Sequence, residues 1–252
     1  MSDPAEKSNV LVVIPARYGS SRFPGKALAD LEGLPLIVHT VANAQGMVLA
    51  DQIIVATDDQ RIQEAVTDGG FLAEMTGDHP TGTDRIGEIA SRHEADIILN
   101  LQGDEPLLDP ADADALVQVM LDDPDLDIGT CAHSFADRES WLDPNTVKVV
   151  VDRRGQALYF SRAAIPGVFP GGEEYGPRTA LRHVGIYAFR RRALEKFLTL
   201  ERTPLEVAEG LEQLRALESG MRIKVMEIQH APVGVDTPAD LEIVKLELRK
   251  RP

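Results

Sequence analysis

Residues 10–26 read VLVVIPARYGSSRFPGK, and this stretch decides the fold class. Its first five residues are apolar and mostly β-branched, which is typical of a strand buried on both faces of a sheet. A polar loop that contains Gly and Pro follows, and residues 35–46 then have the composition of a helix. Strand, loop and helix in this order predict a βα unit, the building block of α/β proteins.

The same order of elements recurs twice further along the chain. Residues 52–57 predict a strand before a helix over 59–66, and residues 96–102 predict a strand before a helix over 110–121. This alternation predicts a three-layer α/β fold with a mainly parallel, mixed sheet and helices on both faces. In such folds the loops after the carboxyl ends of the strands form the ligand sites. Functional residues are therefore expected in those loops.

The regular alternation ends near residue 127, and the rest of the chain predicts a smaller second lobe. Residues 148–152 and 157–160 flank a turn and predict a β-hairpin. The strand edges of such a hairpin favour pairing with a second copy of the chain, so we expect a homodimer. We interpret the chain as one domain over residues 1–252, with approximate lobes over 10–127 and 128–252. The second lobe is expected to return to the main sheet.

Capping signals predict two helices near the carboxyl terminus. Thr203, Pro204 and Glu206 form the signature of a capping box, and the leucines that follow predict one helix that continues to Gly220. A second capping signature, at Thr237, begins the last predicted helix, which runs to about residue 249.

Charge and composition exclude several classes of protein. The 252 residues include 26 Lys and Arg and 41 Asp and Glu, for a formal net charge of -15. Nucleic acid and anionic membrane surfaces are therefore not expected as partners. No apolar run approaches the ~20 residues that span a bilayer. The chain has one cysteine, Cys131, and no signal peptide is visible, so we expect a cytoplasmic location.

Three cations in the first loop predict a phosphate site. Arg17, Arg22 and Lys26 lie close together in an otherwise acidic chain, and Gly19 and Gly25 allow backbone N–H groups to approach an anion. Arginine offers bidentate hydrogen bonds to phosphate, and lysine a mobile point charge. The spacing of the glycines excludes a Walker A loop, and the chain has no GxGxxG dinucleotide motif. A solvated turn without a ligand is the alternative.

A carboxylate after the third predicted strand indicates a magnesium site. Asp104 lies in LQGDEP, residues 101–106, where a hard oxygen ligand suits an Mg²⁺ ion that carries substrate phosphates. One carboxylate is rarely sufficient, and Asp236, just before the last predicted helix, is the candidate partner. The alternative for Asp236 is a carboxylate that interacts only with the helix dipole.

The motifs, taken in order, resemble those of a known enzyme family. Between about residue 10 and residue 248 the chain contains PARYGSSRFPGK, ATDD, TGTDR, LQGDEP, PNTVKVV, YFSRAAIP, LRHVGIYAFR, PLEVAEGLEQLR and GVDTPADLE. This set resembles the 3-deoxy-manno-octulosonate (Kdo) cytidylyltransferases, also called CMP-Kdo synthetases, over nearly the whole chain. The resemblance implies transfer of CMP from CTP to the anomeric hydroxyl of Kdo, with release of pyrophosphate, for lipopolysaccharide biosynthesis. It also implies a homodimer.

The resemblance further implies roles for individual residues. The catalytic residues that it implies are Arg17, Lys26, Asp104 and Asp236. Of these, Asp104 and Asp236 would bind Mg²⁺. The nucleotide site implied by the matching motifs comprises Pro15, Ala16, Arg17, Arg22, Lys26, Gly82 and Arg85, with the last two helping to recognise cytosine. The sugar site implied in the same way comprises Gln102, Arg162, His183, Tyr187, Glu212 and Gln213.

Three alternatives stay open for the function. A cytidylyltransferase for a modified sugar, such as 8-amino-Kdo, would keep the nucleotide motifs and differ at a few pocket residues. A protein that binds CTP or the sugar without turnover is disfavoured, because all three loop cations and both candidate metal ligands are present. A glycosyltransferase would require a preformed nucleotide sugar as its donor.

Overall fold

A computed structural model of the chain describes residues 8–19, 23–172, 174–229 and 232–250. The chain divides into two compact units. The first unit contains residues 1–117 and 232–252, and the second contains residues 118–231. The carboxyl-terminal segment therefore belongs to the same unit as the amino-terminal strand.

The first unit is built on parallel strands. Its strands in chain order are β1 (Val10–Ala16), β2 (Asp30–Leu31), β3 (Leu34–Pro35), β4 (Gln52–Thr57), β5 (Ala73–Met75) and β6 (Ile97–Asn100). Strands β6, β1, β4 and β5 lie side by side in this order and are parallel, whereas β2 and β3 form a separate antiparallel ribbon. The first five side chains of β1 are all buried, as expected of a strand inside a covered sheet.

Helices connect these strands and extend the unit at its carboxyl-terminal end. They are α1 (Leu36–Ala44), α2 (Gln60–Asp68), α3 (Gly82–Arg92), α4 (Pro110–Asp122), whose last residues belong to the second unit, and α10 (Pro238–Leu248). Side chains cap four of them: Asp59 caps α2, Thr81 caps α3, Asp109 caps α4 and Thr237 caps α10. The three predicted βα units and the last predicted helix are thereby confirmed, with ends that differ by a few residues.

The second unit combines parallel and antiparallel strands. They are β7 (Ile128–Ser134), β8 (Lys148–Val151), β9 (Ala157–Ser161), β10 (Leu181–Arg190) and β11 (Ile223–Glu227). Strand β7 pairs with β11 in parallel and with β10 in antiparallel orientation, and β8 pairs with both β10 and β9 in antiparallel orientation. The predicted hairpin is confirmed as β8 and β9. The predicted α/β class with a mixed, mainly parallel sheet is confirmed.

Short helices complete the second unit. They are α5 (Arg138–Leu142), α6 (Tyr175–Thr179), α7 (Arg191–Leu198), α8 (Pro204–Glu209) and α9 (Gln213–Glu218). In the described part of the chain, no helix is long and apolar enough to cross a membrane.

The single helix predicted from Pro204 to Gly220 is wrong, because the structure breaks it into α8 and α9. Gly210 ends α8 with a φ of 63°, a left-handed conformation that glycine adopts at little cost. The predicted capping box between Thr203 and Glu206 is present at the start of α8. The apolar spacing continues across the break, so periodicity alone predicted a continuous helix. The break places Gln213, which is buried, at the start of α9.

Candidate active site

The loop after β1 positions Lys26 through a tight turn. Gly25 precedes the 3-10 helix Lys26–Leu28 and has a φ of 72°, and a Cβ at this position would lie 3.2 Å from the ring of Tyr18. Both the backbone conformation and the space therefore favour glycine. The N–H of Gly25 donates a hydrogen bond to the carbonyl of Tyr18 at 3.0 Å, which closes the loop and fixes the residue before Lys26.

Lys26 lies between the two carboxylates that were predicted to form a metal site. Its Nζ is 2.5 Å from Oδ2 of Asp104 and 3.4 Å from Oδ1 of Asp236. The two carboxylate oxygens are therefore at most about 6 Å apart, although 210 positions separate Lys26 from Asp236 along the chain. All three residues belong to the first unit. The predicted convergence of Lys26, Asp104 and Asp236 is thus present in the structure.

Backbone contacts hold Asp104 in this place. It follows Gly103, where a Cβ would lie 2.9 Å from the carbonyl oxygen of Pro15, so only glycine lets this turn pack against the end of β1. The hydroxyl of Thr40 donates to the carbonyl of Gly103 at 3.0 Å. The carbonyl of Asp104 accepts a hydrogen bond from the N–H of Val235 at 2.9 Å, which joins the two acidic loops directly.

A buried apolar cluster holds the second acidic loop. Val235, the residue before Asp236, is fully buried and belongs to a cluster of Leu31, Leu36, Leu107, Val235, Leu241 and Val244. Two members of this cluster lie on α10, and Leu107 follows the acidic loop of Asp104. Hydrophobic packing therefore anchors both carboxylate loops while leaving the carboxylates themselves accessible.

The carboxylate chemistry of the cluster fits a divalent cation. Burial, followed by the negative charges of Asp104 and Asp236, raises the pKa of the neighbouring Glu105 to about 8, and its Oε2 has no hydrogen-bond partner within the described chain. The cluster thus contains more negative charge than Lys26 alone neutralises. Among the described residues no group of three His, Cys, Asp or Glu side chains is arranged to hold a metal. A cation bound by Asp104 and Asp236 would take its remaining ligands from phosphate or water, as Mg²⁺ commonly does.

Other predicted nucleotide-binding residues surround the end of β1. Pro15 and Ala16 are the last two residues of β1, and exposed Arg17 follows them. A Cβ at Gly82, in the first turn of α3, would lie 3.7 Å from the ring of Pro15, so these two predicted residues are neighbours. Arg22 lies outside the described residues.

Arg85 is buried and makes several contacts inside the protein. Its Nη2 lies 2.6 Å from Oδ2 of Asp58, and its Nη1 donates to the hydroxyl of Thr76 and to the carbonyl of Gly77. These contacts tie α3 to the ends of β4 and β5. The predicted role of Arg85 in cytosine recognition stays a prediction. Sequence reasoning assigned no role to Asp58 or Thr76, although Asp58 lies in the quoted motif ATDD after a strand.

Two of the predicted sugar-binding residues meet on β10. The rings of His183 and Tyr187 have centroids 5.4 Å apart. Burial lowers the pKa of His183 to about 3, so its ring is neutral near pH 7. Burial, together with the charge of Glu212, raises the pKa of Tyr187 above its usual range. Glu212 is the residue before α9, and buried Gln213 is its first residue, so Gln213 does not lie on a solvent face.

Arg162 is held by Glu209, a residue that sequence reasoning missed. The carboxylate of Glu209 accepts from the N–H of Arg162 at 2.8 Å and from the hydroxyl of Ser161 at 2.7 Å. The carbonyl of Glu209 accepts from Nε of Arg162 at 2.9 Å. An isolated carboxylate near a helix end carries no spacing signal, so the sequence did not reveal this contact.

Lys148 supports Arg162 from the other side. Its side chain is fully buried, and its Nζ donates to the carbonyls of Asp143, Thr146 and Arg162 at 2.7, 2.7 and 2.6 Å. The three carbonyls use the three donors of the ammonium group. A lysine inside the apolar run VKVV was the available sequence signal. Gln102, the remaining predicted sugar residue, follows β6 in the first unit and is half-buried.

Comparison with known proteins identifies close relatives. Residues 11–223 match a family model described as cytidylyltransferase. A 3-deoxy-manno-octulosonate cytidylyltransferase of Geobacter sulfurreducens is 45% identical over 249 residues, which cover 96% of this chain and 100% of the relative. One of Escherichia coli is 47% identical over 239 residues, which cover 94% of this chain and 95% of the relative.

Solved structures agree with these sequence matches. The structure of a CMP:2-keto-3-deoxy-manno-octonic acid synthetase complexed with CTP is similar with a TM-score of 0.92 and 46% identity. The match covers 97% of this chain and 100% of that chain. A 4-diphosphocytidyl-2C-methyl-D-erythritol synthase of Anaerococcus prevotii has a TM-score of 0.64 at 14% identity, which shows a shared fold alone.

Proposed function

The chain belongs to the 3-deoxy-manno-octulosonate (Kdo) cytidylyltransferase family, and we propose that it transfers CMP from CTP to the anomeric hydroxyl of Kdo. The reaction releases pyrophosphate and activates Kdo for lipopolysaccharide biosynthesis. The observation that carries this function is the cluster of Lys26, Asp104 and Asp236 in a chain that matches such enzymes over nearly its whole length. This combination suits a cytidylyltransferase, because Lys26 can neutralise triphosphate charge directly and the two carboxylates would do so through a bound divalent cation while a sugar oxygen attacks.

Cations of the first loop would bind the triphosphate. Attack by a sugar oxygen on the α-phosphorus builds negative charge on the phosphate oxygens, so fixed cations lower the barrier. Lys26 offers three N–H donors, two of which face Asp104 and Asp236 and one of which remains for a phosphate oxygen. Arg17, exposed immediately after β1, can bind phosphate in a bidentate manner. The reaction requires no protein nucleophile.

We propose Mg²⁺ as the cofactor, held by Asp104 and Asp236. The ion would neutralise phosphate charge and orient the attacking hydroxyl. Support comes from the two carboxylates, which both contact Lys26 and whose contacting oxygens are at most about 6 Å apart. The hydrogen bond between the loops, from Val235 to Asp104, keeps both carboxylates in place.

Residues of the second unit would bind the sugar. Arg162 is the cation among them and suits the carboxylate of a ulosonic acid. Its backbone is fixed by Glu209 and Lys148, which supports a binding role that needs a defined geometry. His183, Tyr187, Glu212 and Gln213 supply hydrogen-bonding groups for hydroxyls.

We also propose a homodimer and a cytoplasmic location. Several large apolar side chains of the second unit are exposed, which supports a protein interface. They are Leu142, Leu158, Phe169 and Tyr175. Cys131, the one cysteine of the sequence, is buried and forms no disulfide, which is compatible with a reducing compartment. Light scattering at several concentrations tests the dimer, which a concentration-independent monomer mass with full activity contradicts.

The function is tested by pyrophosphate release in a matrix of substrates. CTP, UTP, ATP and GTP are each combined with Kdo, 8-amino-Kdo and sialic acid. We expect the highest kcat/KM for CTP with Kdo. Preference for 8-amino-Kdo would favour the modified-sugar alternative, preference for sialic acid would overturn the assignment, and CTP binding without any turnover would indicate a non-catalytic protein.

A further inference from the structure

Strand β10 carries a bulge beside the candidate sugar residue His183. The register of β10 on β7 shifts between Val184, which lies opposite Cys131, and Tyr187, which lies opposite Thr130. The rings of His183 and Tyr187 lie 5.4 Å apart, whereas residues four apart in an unbroken strand are separated by about 13 Å. Bulges commonly redirect side chains near active sites, and this one brings the two rings together.

Thr130 of β7 lies opposite the bulge, and its hydroxyl has one proton for three neighbours. The residue is fully buried. Its Oγ1 lies 2.7 Å from the carbonyl oxygen of Ile186, 3.3 Å from that of Val184 and 2.9 Å from Nε2 of His183. Carbonyl oxygens only accept hydrogen bonds, so the hydroxyl proton belongs to the nearer one, that of Ile186. The hydroxyl can offer His183 only a lone pair.

This lone pair selects one tautomer of His183. Nε2 must carry a proton to donate to Thr130, and in a neutral imidazole Nδ1 is then unprotonated. The ring is neutral, since burial lowers the pKa of His183 to about 3. In the other tautomer the Thr130 proton would turn to Nε2. The oxygens of Thr130 and Ile186 would then face each other at 2.7 Å without a proton between them, which is unfavourable.

We propose that Thr130 is a positioning residue that holds His183 in the Nε2–H tautomer, so that Nδ1 accepts a hydrogen bond from a hydroxyl group of the sugar substrate. The sugar role rests on the proposed function. The rings of Phe160, at 5.1 Å, and Tyr187 flank the imidazole and restrict its rotation. A fixed acceptor discriminates against analogues that lack the matching hydroxyl, because it is then left unpaired.

The tautomer can be read without an activity assay. The full-length protein is labelled with ¹⁵N-histidine, and ¹⁵N chemical shifts of the rings are measured near pH 7.5, with the His183→Asn variant used for assignment. We expect Nε2 of His183 to show the shift of a protonated nitrogen and Nδ1 that of an unprotonated one. Protonated Nδ1, or shifts averaged between the two forms, would overturn the proposal.

Two variants test the link to the sugar. Thr130→Val removes the hydroxyl at nearly constant volume, and we expect KM for Kdo to rise about tenfold, the factor of one hydrogen bond. KM for CTP and kcat should stay near wild-type values, whereas a general structural defect would change them as well. Thr130→Ser restores the hydroxyl and should restore both the tautomer and KM for Kdo. An unchanged KM for Kdo in a folded Thr130→Val variant would contradict the proposal.

The two levels of the inference can be separated. A wild-type protein that releases no pyrophosphate from CTP and Kdo contradicts the proposed function, and with it the sugar role of Nδ1. An active wild-type protein in which Nδ1 of His183 is protonated contradicts the role of Thr130 alone. If Thr130→Val does not fold, the wild-type spectrum still decides.

Discussion

Replacement of Asp104 by Asn should separate catalysis from stability at the candidate active site. The substitution keeps the size of the side chain and removes the charge that faces Lys26 at 2.5 Å. We expect turnover to fall by ~100-fold or more, which corresponds to about 2.7 kcal/mol of barrier, because a well-placed electrostatic group supplies that much. Asp236→Asn should act in the same direction, since both carboxylates face the same ammonium group.

The cost in stability should be small by comparison. The side chains of Lys26 and Asp104 are 16% and 31% exposed, so solvent screens their interaction. Such a pair contributes about 0–1 kcal/mol to the free energy of unfolding. Its loss should lower Tm by no more than about 4 °C in a chain of this length. The catalytic effect should therefore exceed anything that partial unfolding explains.

The assay measures pyrophosphate release against Mg²⁺ concentration, alongside thermal melts. Glu242→Gln serves as the matched control, because it breaks a comparable ion pair of 2.8 Å with Lys245 on the outer part of α10. The control should keep wild-type turnover. If Asp104→Asn and Asp236→Asn both melt normally and retain turnover within threefold of the wild type, these carboxylates are not the catalytic pair.

Three further predictions concern other parts of the molecule. Gly103→Ala should lower the free energy of unfolding by about 1–3 kcal/mol in a denaturant titration, because the added Cβ would lie 2.9 Å from a backbone oxygen. The control variant Gly167→Ala should have little effect, because the space around that residue is open. Glu209→Gln should raise KM for Kdo about tenfold and leave KM for CTP unchanged, since it weakens the support of Arg162; equal changes in both constants would refute this role. His183 has a lower pKa in the folded protein than in the unfolded chain, so it contributes to stability above pH 6.5, and this contribution is lost as the pH falls toward 3. Between pH 6.5 and 5, the free energy of unfolding from urea titrations should therefore fall by up to about 2 kcal/mol more in the wild type than in His183→Asn. Parallel pH curves would contradict it.

The fold could be predicted where apolar pattern and turn chemistry agree. Strand β4 occurs over the predicted residues, and the hairpin of β8 and β9 occurs around its predicted turn. The break at Gly210 could not be predicted from apolar spacing, which is unchanged across it. A glycine inside a helical pattern is tolerated in many helices, and only the packing of the second unit decides that this one adopts a positive φ.

The candidate site could be predicted in part. Lys26 and Asp104 follow strands at the same edge of a parallel sheet, so topology alone predicts that they approach each other. The contacts of Glu209 with Arg162 and of Thr130 with His183 join residues 47 and 53 positions apart through one or two hydrogen bonds each. Such contacts leave no local pattern in the sequence, and the three-dimensional structure is needed to find them.

The most direct test of the function is a ³¹P NMR time course of the purified protein with CTP, Kdo and Mg²⁺. Transfer of CMP predicts that the three phosphate resonances of CTP disappear while one phosphodiester resonance and pyrophosphate appear in equal amounts. No such products should form when Kdo is left out. Formation of CDP with phosphate, of CMP with pyrophosphate, or of pyrophosphate without dependence on Kdo would contradict the assignment.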